Sequence, residues 1–88
     1  MLFNPGTIVA TPGALSLADE QGLDLLIYLQ RHLNGDYGDL CAEDKAENNH
    51  SLRLGFRLLS AYETPCGKLW IITEADRSAT TFLLPEEY

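Results

Sequence analysis

Basic side chains are scarce in this chain. Six Lys and Arg stand against 13 Asp and Glu, for a formal charge of −7. Such a surface repels phosphate backbones and anionic membranes on average, so neither nucleic acid nor a membrane is an expected partner. A basic protein, or a basic patch on one, is the expected partner instead. Cysteine is also sparse. Cys41 and Cys66 are too few for a disulfide scaffold, and both are expected as free thiols in a reducing, cytoplasmic setting. Long apolar runs are missing: the richest stretch, around Leu23 to Leu33, falls far short of the ~20 residues of a membrane span. Met1-Leu2-Phe3-Asn4-Pro5 lacks the basic start and apolar run of a secretory leader.

What is present is ordinary globular composition. Of 88 residues, 45% are apolar and 22% charged. This fits one domain over residues 1–88, without repeats or a linker. A chain of this size buries roughly 60–65% of its unfolded surface. That suffices for a core and leaves little room for an enclosed active site beside it.

The order of elements predicts an α+β fold. Thr7-Ile8-Val9-Ala10 reads as a strand closed by a turn at Thr11-Pro12-Gly13. Ala14 to Gln21 reads as a short helix with Leu15, Leu17 and Ala18 on its apolar side and Gly22 as its C-terminal cap. Leu23 to Leu33 reads as a second helix, with Leu23, Leu26, Ile27 and Leu33 on the buried face and Tyr28, Arg31 and His32 bordering it. Cys41 to Leu54 is polar and helix-compatible, capped by Asp39 and anchored by Leu40, Ala46 and Leu54, which predicts a third, shallow helix. From Phe56 the period changes to two. Phe56, Leu58, Ser60, Tyr62 and Thr64 share one face, Pro65-Cys66-Gly67 forms a turn, Lys68 to Glu74 a strand, Ala75 to Ser78 a second turn, and Ala79 to Leu84 a third strand. The expectation is a three-stranded antiparallel meander covered by helices on one face, with the first strand joining an edge. Trp70 is expected to be largely buried and to face the helices with Ile72.

Two constellations carry candidate chemistry. Glu74, Asp76, Arg77, Ser78, Thr80 and Thr81 crowd one strand-turn-strand corner, where carboxylates beside Arg and hydroxyls would bind a small ligand or perform acid–base work. The plainer reading is a turn in which Asp76 bonds backbone N–H groups and Arg77 pairs with a neighbouring acid. Asp36, Asp39, Glu43, Asp44 and Glu47 form an acidic stretch relieved only by Lys45. It lacks the ordered spacing of a calcium loop, so it reads as a solvated face or as a docking surface for a basic partner. His32, Cys41, His50 and Cys66 contain no C-x-x-C or H-x₃-H pair, so no metal site is expected. Neither cysteine lies in a basic setting, and Ser51 and Ser60 lack a G-x-S-x-G elbow. No catalytic residue and no cofactor are therefore assigned.

Several segments resemble those of a family of small bacterial proteins carried on plasmids and other mobile elements. They are Trp70 to Ser78, Thr80-Thr81, Leu83 to Tyr88, Thr11 to Ala14, and Gly35 to Leu40 before Glu43-Asp44. The family most often has Trp where this chain has Tyr37. Its members are called hypothetical or plasmid-related proteins, and some carry the label type I restriction endonuclease subunit M. A methyltransferase would need a cofactor domain with a Gly-rich strand-to-helix turn, which this chain lacks. The resemblance supplies no functional residues. It implies a mobile-element accessory, and the residues add a non-catalytic interaction protein with an acidic surface. A DNA-mimic variant is weakened by acids that are not spaced in a regular row. The alternative is a ligand-binding domain or enzyme using the Glu74–Thr81 corner. A homodimer is possible, since a small open sheet leaves edge strands unpaired.

Overall fold

The computed structural model describes residues 1–65 and 67–88. The fold is α+β. β1 (Thr7–Ala10) leads to α1 (Pro12–Gln21), α2 (Leu25–Leu33) and α3 (Ala42–Leu54), then to β2 (Leu58–Thr64), β3 (Gly67–Thr73) and β4 (Ala79–Leu83). The strands form one sheet in the order β1-β4-β3-β2. β2, β3 and β4 are the antiparallel meander, and β1 joins the β4 edge in parallel, which makes the sheet mixed. The expected turn at Pro65-Cys66-Gly67 and the expected free Cys66 thiol fall on a residue outside those described. Among the described residues no helix is long and apolar enough to cross a membrane.

Local chemistry explains the helix ends. The Thr11 hydroxyl accepts from the Ala14 N–H, so α1 starts at Pro12 rather than at Ala14, and Gly22 ends it at φ 63°. Glu87, from a 3-10 turn at Pro85–Glu87, reaches back to the same end. Its carboxylate accepts from the Thr11 hydroxyl and from the Gly13 and Leu84 N–H groups. These contacts, the Thr11 hydroxyl foremost, hold Glu87 below the usual carboxylate range. Asp24 caps α2. Asp39 does not cap α3: Cys41 occupies that position without a side-chain bond, and Asp39 instead accepts from the Glu63 N–H.

The main core lies between α1, α2 and one face of the sheet. It is built from Ala14, Leu29, Leu33, Tyr62, Leu69, Ile71 and Phe82, with Leu17, Leu25 and Tyr28 packed against it. The buried face of α2 is therefore Leu25, Tyr28, Leu29, His32 and Leu33. Leu26 and Ile27 are exposed, contrary to the sequence expectation. Both stripes have helical spacing, and the inward one carries His32, which bonds Ser60 and Thr73 on the sheet. Trp70 is also on the other side. Leu69, Ile71 and Thr73 are fully buried beneath the helices, while Trp70 is half-buried on the opposite face, packed edge-on against Tyr88 with centroids 5.6 Å apart. α3 is shallow as expected, but its anchors are Asn48 and Ser51; Ala46 and Leu54 face solvent.

The two sheet edges differ. Along β2, the Asn48 side-chain amide donates to the Leu59 carbonyl at 2.6 Å and accepts from the Leu59 N–H at 3.1 Å, replacing a strand. The segment Tyr37–Asp39 continues the cover. Tyr37 O accepts from the Ala61 N–H, and the Asp39 N–H donates to the Ala61 carbonyl. On the far side of the sheet, the β1 edge has no such cover among the described residues.

Candidate functional site

The Glu74–Thr81 corner is a filled turn. Glu74 pairs with Arg57 at 3.3 Å, and Arg57 also donates to the Tyr88 hydroxyl. Asp76 is held below the usual carboxylate range, first by the Ser78 hydroxyl and then by the Ser78 N–H. Arg77 sits at φ 61°, a conformation that costs a non-glycine residue about 1–2 kcal/mol. Its guanidinium donates to the carbonyls of Phe56, Glu74, Ala75 and Ser51, so it joins the turn to the end of α3 rather than pairing with an acid. Thr80 and Thr81 point to opposite faces. Thr80 is fully buried, and Thr81 lies beside Ile72 and Val9. The corner residues are adjacent in sequence, yet their polar groups are turned apart and mostly engaged within the protein.

Beneath the helices lies a polar chain that the sequence reading missed. The Thr80 hydroxyl donates to the Pro5 carbonyl at 2.7 Å, which leaves its oxygen free to accept from the Thr73 hydroxyl at 2.7 Å. Thr73 then accepts from His32 Nε2 at 2.9 Å, and His32 Nδ1 accepts from the Ser60 hydroxyl at 2.5 Å. This donor order fixes a neutral imidazole with its proton on Nε2. His32, Ser60, Thr73 and Thr80 are all fully buried. Phe3 lies edge-on over His32 at 5.2 Å, on an N-terminal strap tied to α2 by the Leu2 N–H to Leu33 carbonyl bond. A serine hydroxyl on an imidazole can serve nucleophilic chemistry, but here the pair lies under the strap and gives a substrate no access. Its sequence signal is a histidine on the inward stripe of α2 opposite inward hydroxyls at Ser60, Thr73 and Thr80.

Tyr37 adjoins this chain, its ring 6.3 Å from that of His32. Its hydroxyl is buried and has no partner among the described residues. Tyr37→Phe removes an unsatisfied group without removing a bond. It is expected to leave stability equal or higher by about 1 kcal/mol, a rise in Tm of roughly 5 °C. A clear fall in the melting temperature would show that the hydroxyl is bonded in solution.

The acidic stretch divides in two. Asp36 accepts from Arg31 Nε at 2.7 Å and from Arg31 Nη2 at 3.3 Å, and this contact is the main reason its carboxyl lies below the usual range. Arg31 lies over the Tyr62 ring at 4.6 Å, and the Tyr62 hydroxyl donates to the Asp36 carbonyl. Burial above all pushes the Tyr62 phenol up to about 12. Asp36 and Asp39 are thus structural. Glu43, Asp44 and Glu47 are exposed on α3 and make no ion pair among the described residues. Asp44 and Glu47 line a groove of about 170 Å³ between α3 and β2, together with Leu40, Asn48, Arg57 and Leu59. The Arg57 charge at this groove is already turned to Glu74.

Among the described residues no three His, Cys, Asp or Glu side chains are gathered as a metal-ligand set. Cys41 is exposed and free. Comparison with protein-family models, curated proteins and solved structures finds no match for the chain.

Proposed function

We propose that this chain is a non-catalytic interaction protein that binds a basic protein partner at the α3–β2 groove. The observation that carries the reading is the groove itself: it is lined by the apolar Leu40 and Leu59 and by two carboxylates, Asp44 and Glu47, that make no ion pair among the described residues. A Lys or Arg side chain fits such a place, with its aliphatic stem on the leucines and its charged head at the acids. Glu43 and the net charge of −7 add long-range attraction, which steers encounter and is screened by salt. The resemblance to plasmid and mobile-element proteins supports an accessory role.

The test is a Glu43→Gln, Asp44→Asn, Glu47→Gln variant, which spares the structural Asp36 and Asp39. Exposed charges contribute about 0–1 kcal/mol each, so its Tm is expected within a few degrees of wild type. Capture of a basic partner from host lysate at low salt is expected to weaken at least tenfold in the variant and to fall with added salt in the wild type. Equal capture by the folded variant at both salt concentrations would refute the groove.

A further inference from the structure

We propose that the β1 edge is a dimerisation surface, where the strand Thr7–Ala10 pairs antiparallel with the same strand of a second copy and extends the sheet across a two-fold axis. Unpaired strand edges are templates for further pairing, and folded proteins usually blunt them with charges, prolines, bulges or a covering segment. Among the described residues such a cover is found on one side. Asn48 and Tyr37–Asp39 occupy the β2 edge. At β1 the side chains are Thr, Ile, Val and Ala, with Ile8 45% and Val9 43% exposed.

The backbone geometry defines the register. The Thr7 and Thr11 N–H groups donate inward to the Ser78 and Phe82 carbonyls. By alternation, the N–H and C=O groups of Ile8 and Ala10 point outward. A two-fold axis perpendicular to the sheet must place residues of the same face opposite each other. Centring it on Val9 pairs Ile8 with Ala10 twice, uses all four outward groups of each strand segment, and sets Val9 against Val9. That central pair is a non-hydrogen-bonded one, the closest type for side chains, and two β-branched residues suit it.

Charge selects a second copy as the occupant. The protein carries −7, yet no side chain from Met1 to Ala18 is charged. The Glu87 carboxylate that reaches this end is turned into the first turn of α1. Two copies of an acidic molecule therefore meet with least repulsion here, and a basic strand would find no carboxylate on β1 to favour it. The site is separate from the α3–β2 groove, so the two readings stand or fall independently.

Sedimentation velocity across a concentration series tests the pairing. Wild type is expected to approach twice the 9.8 kDa chain mass. Val9→Lys and Val9→Glu variants, with like charges directly opposed, are each expected to raise the dimer dissociation constant at least tenfold. Mixed in equal amounts, they are expected to recover association, because position 9 faces position 9. Hydrogen exchange of the wild type supplies a readout that needs no variant: the outward Ile8 and Ala10 amides are expected to gain protection as concentration rises. A wild type that is monomeric at every concentration, with those amides exchanging freely, would overturn the proposal and leave the edge to a strand from another protein. A dimer that both variants form as readily as wild type would also overturn it, as would variants that dissociate but fail to recover on mixing.

Discussion

At pH 7 a His32→Leu variant is expected to be less stable than wild type by about 2–4 kcal/mol, and by pH 4 most of that difference is expected to be gone. Leucine fills a similar volume but leaves the buried Ser60 hydroxyl without its acceptor and takes away the donor to Thr73; an unsatisfied buried polar group costs about 1–3 kcal/mol. The pH dependence follows from burial, which lowers the His32 pKa from 6.5 to about 4. Above pH 6.5 both folded and unfolded chains hold the imidazole neutral, and its contribution is at its full value. As pH falls from 6.5 to 4, the unfolded chain takes up a proton that the folded chain refuses. Wild type then loses up to about 3 kcal/mol, at 1.36 kcal/mol per unit of pKa difference. The leucine variant has no such loss. Asp36, Asp76 and Glu87 also have lowered pKa values, so their losses set in around their ordinary values of 3.8 and 4.5, but both proteins carry these groups and the losses cancel in the difference. Urea unfolding at half-unit pH steps measures the two profiles. Parallel profiles for wild type and variant would show that His32 does not carry the acid sensitivity.

Gly38→Ala is expected to cost about 3 kcal/mol or more, a fall in Tm of roughly 15 °C. Gly38 stands at φ 76°, which alone disfavours an L side chain by about 1–2 kcal/mol. An added Cβ would also collide with the Ala61 carbonyl oxygen and the Tyr62 ring. The flanking bonds between Tyr37, Asp39 and Ala61 would have to shift, exposing the β2 edge. Gly55→Ala separates the two causes. Gly55 has nearly the same φ, 77°, but open space around its Cβ position. Its alanine variant is expected to lose only about 1 kcal/mol, with thermal unfolding followed by circular dichroism for both. Equal losses at the two glycines would mean that the segment over the β2 edge yields freely.

The strands were legible because alternation is a local signal. Leu58, Ser60, Tyr62 and Thr64 share the buried face, as their period of two requires. Which face meets the helices is not local. Trp70 and Ile72 were placed with the helices on apolarity, yet the smaller set of Leu69, Ile71 and Thr73 packs there. The space beneath α2 is partly filled by a histidine; Ser60 and Thr73 are the strand residues that satisfy it, and Thr80 in turn bonds Thr73. Arg77 was legible as a turn residue, but two of its four carbonyl partners, Phe56 and Ser51, lie 21 and 26 positions away. Asn48 gave no sign of replacing a strand, since an amide on a polar helix looks like any solvated residue. The acidic stretch was read as one surface. Only its contacts separate Asp36 and Asp39, which hold the loop, from Asp44 and Glu47, which line the groove.

The parallel docking of β1 on β4 also sets an order of events in folding. Pro5 bonds Thr80 across 75 positions, and Thr11 bonds Glu87 across 76. β2, β3 and β4 are joined by short turns and can assemble as hairpins within microseconds, whereas β1 must close a loop comprising most of the chain. Contacts of such separation slow folding. The meander and α2 are therefore expected to come together first, with the N-terminal strap closing over His32 last. In such an interval the β4 edge and the hydroxyl chain would be open to water and to other chains, so faster closure of β1 would lower exposure to aggregation.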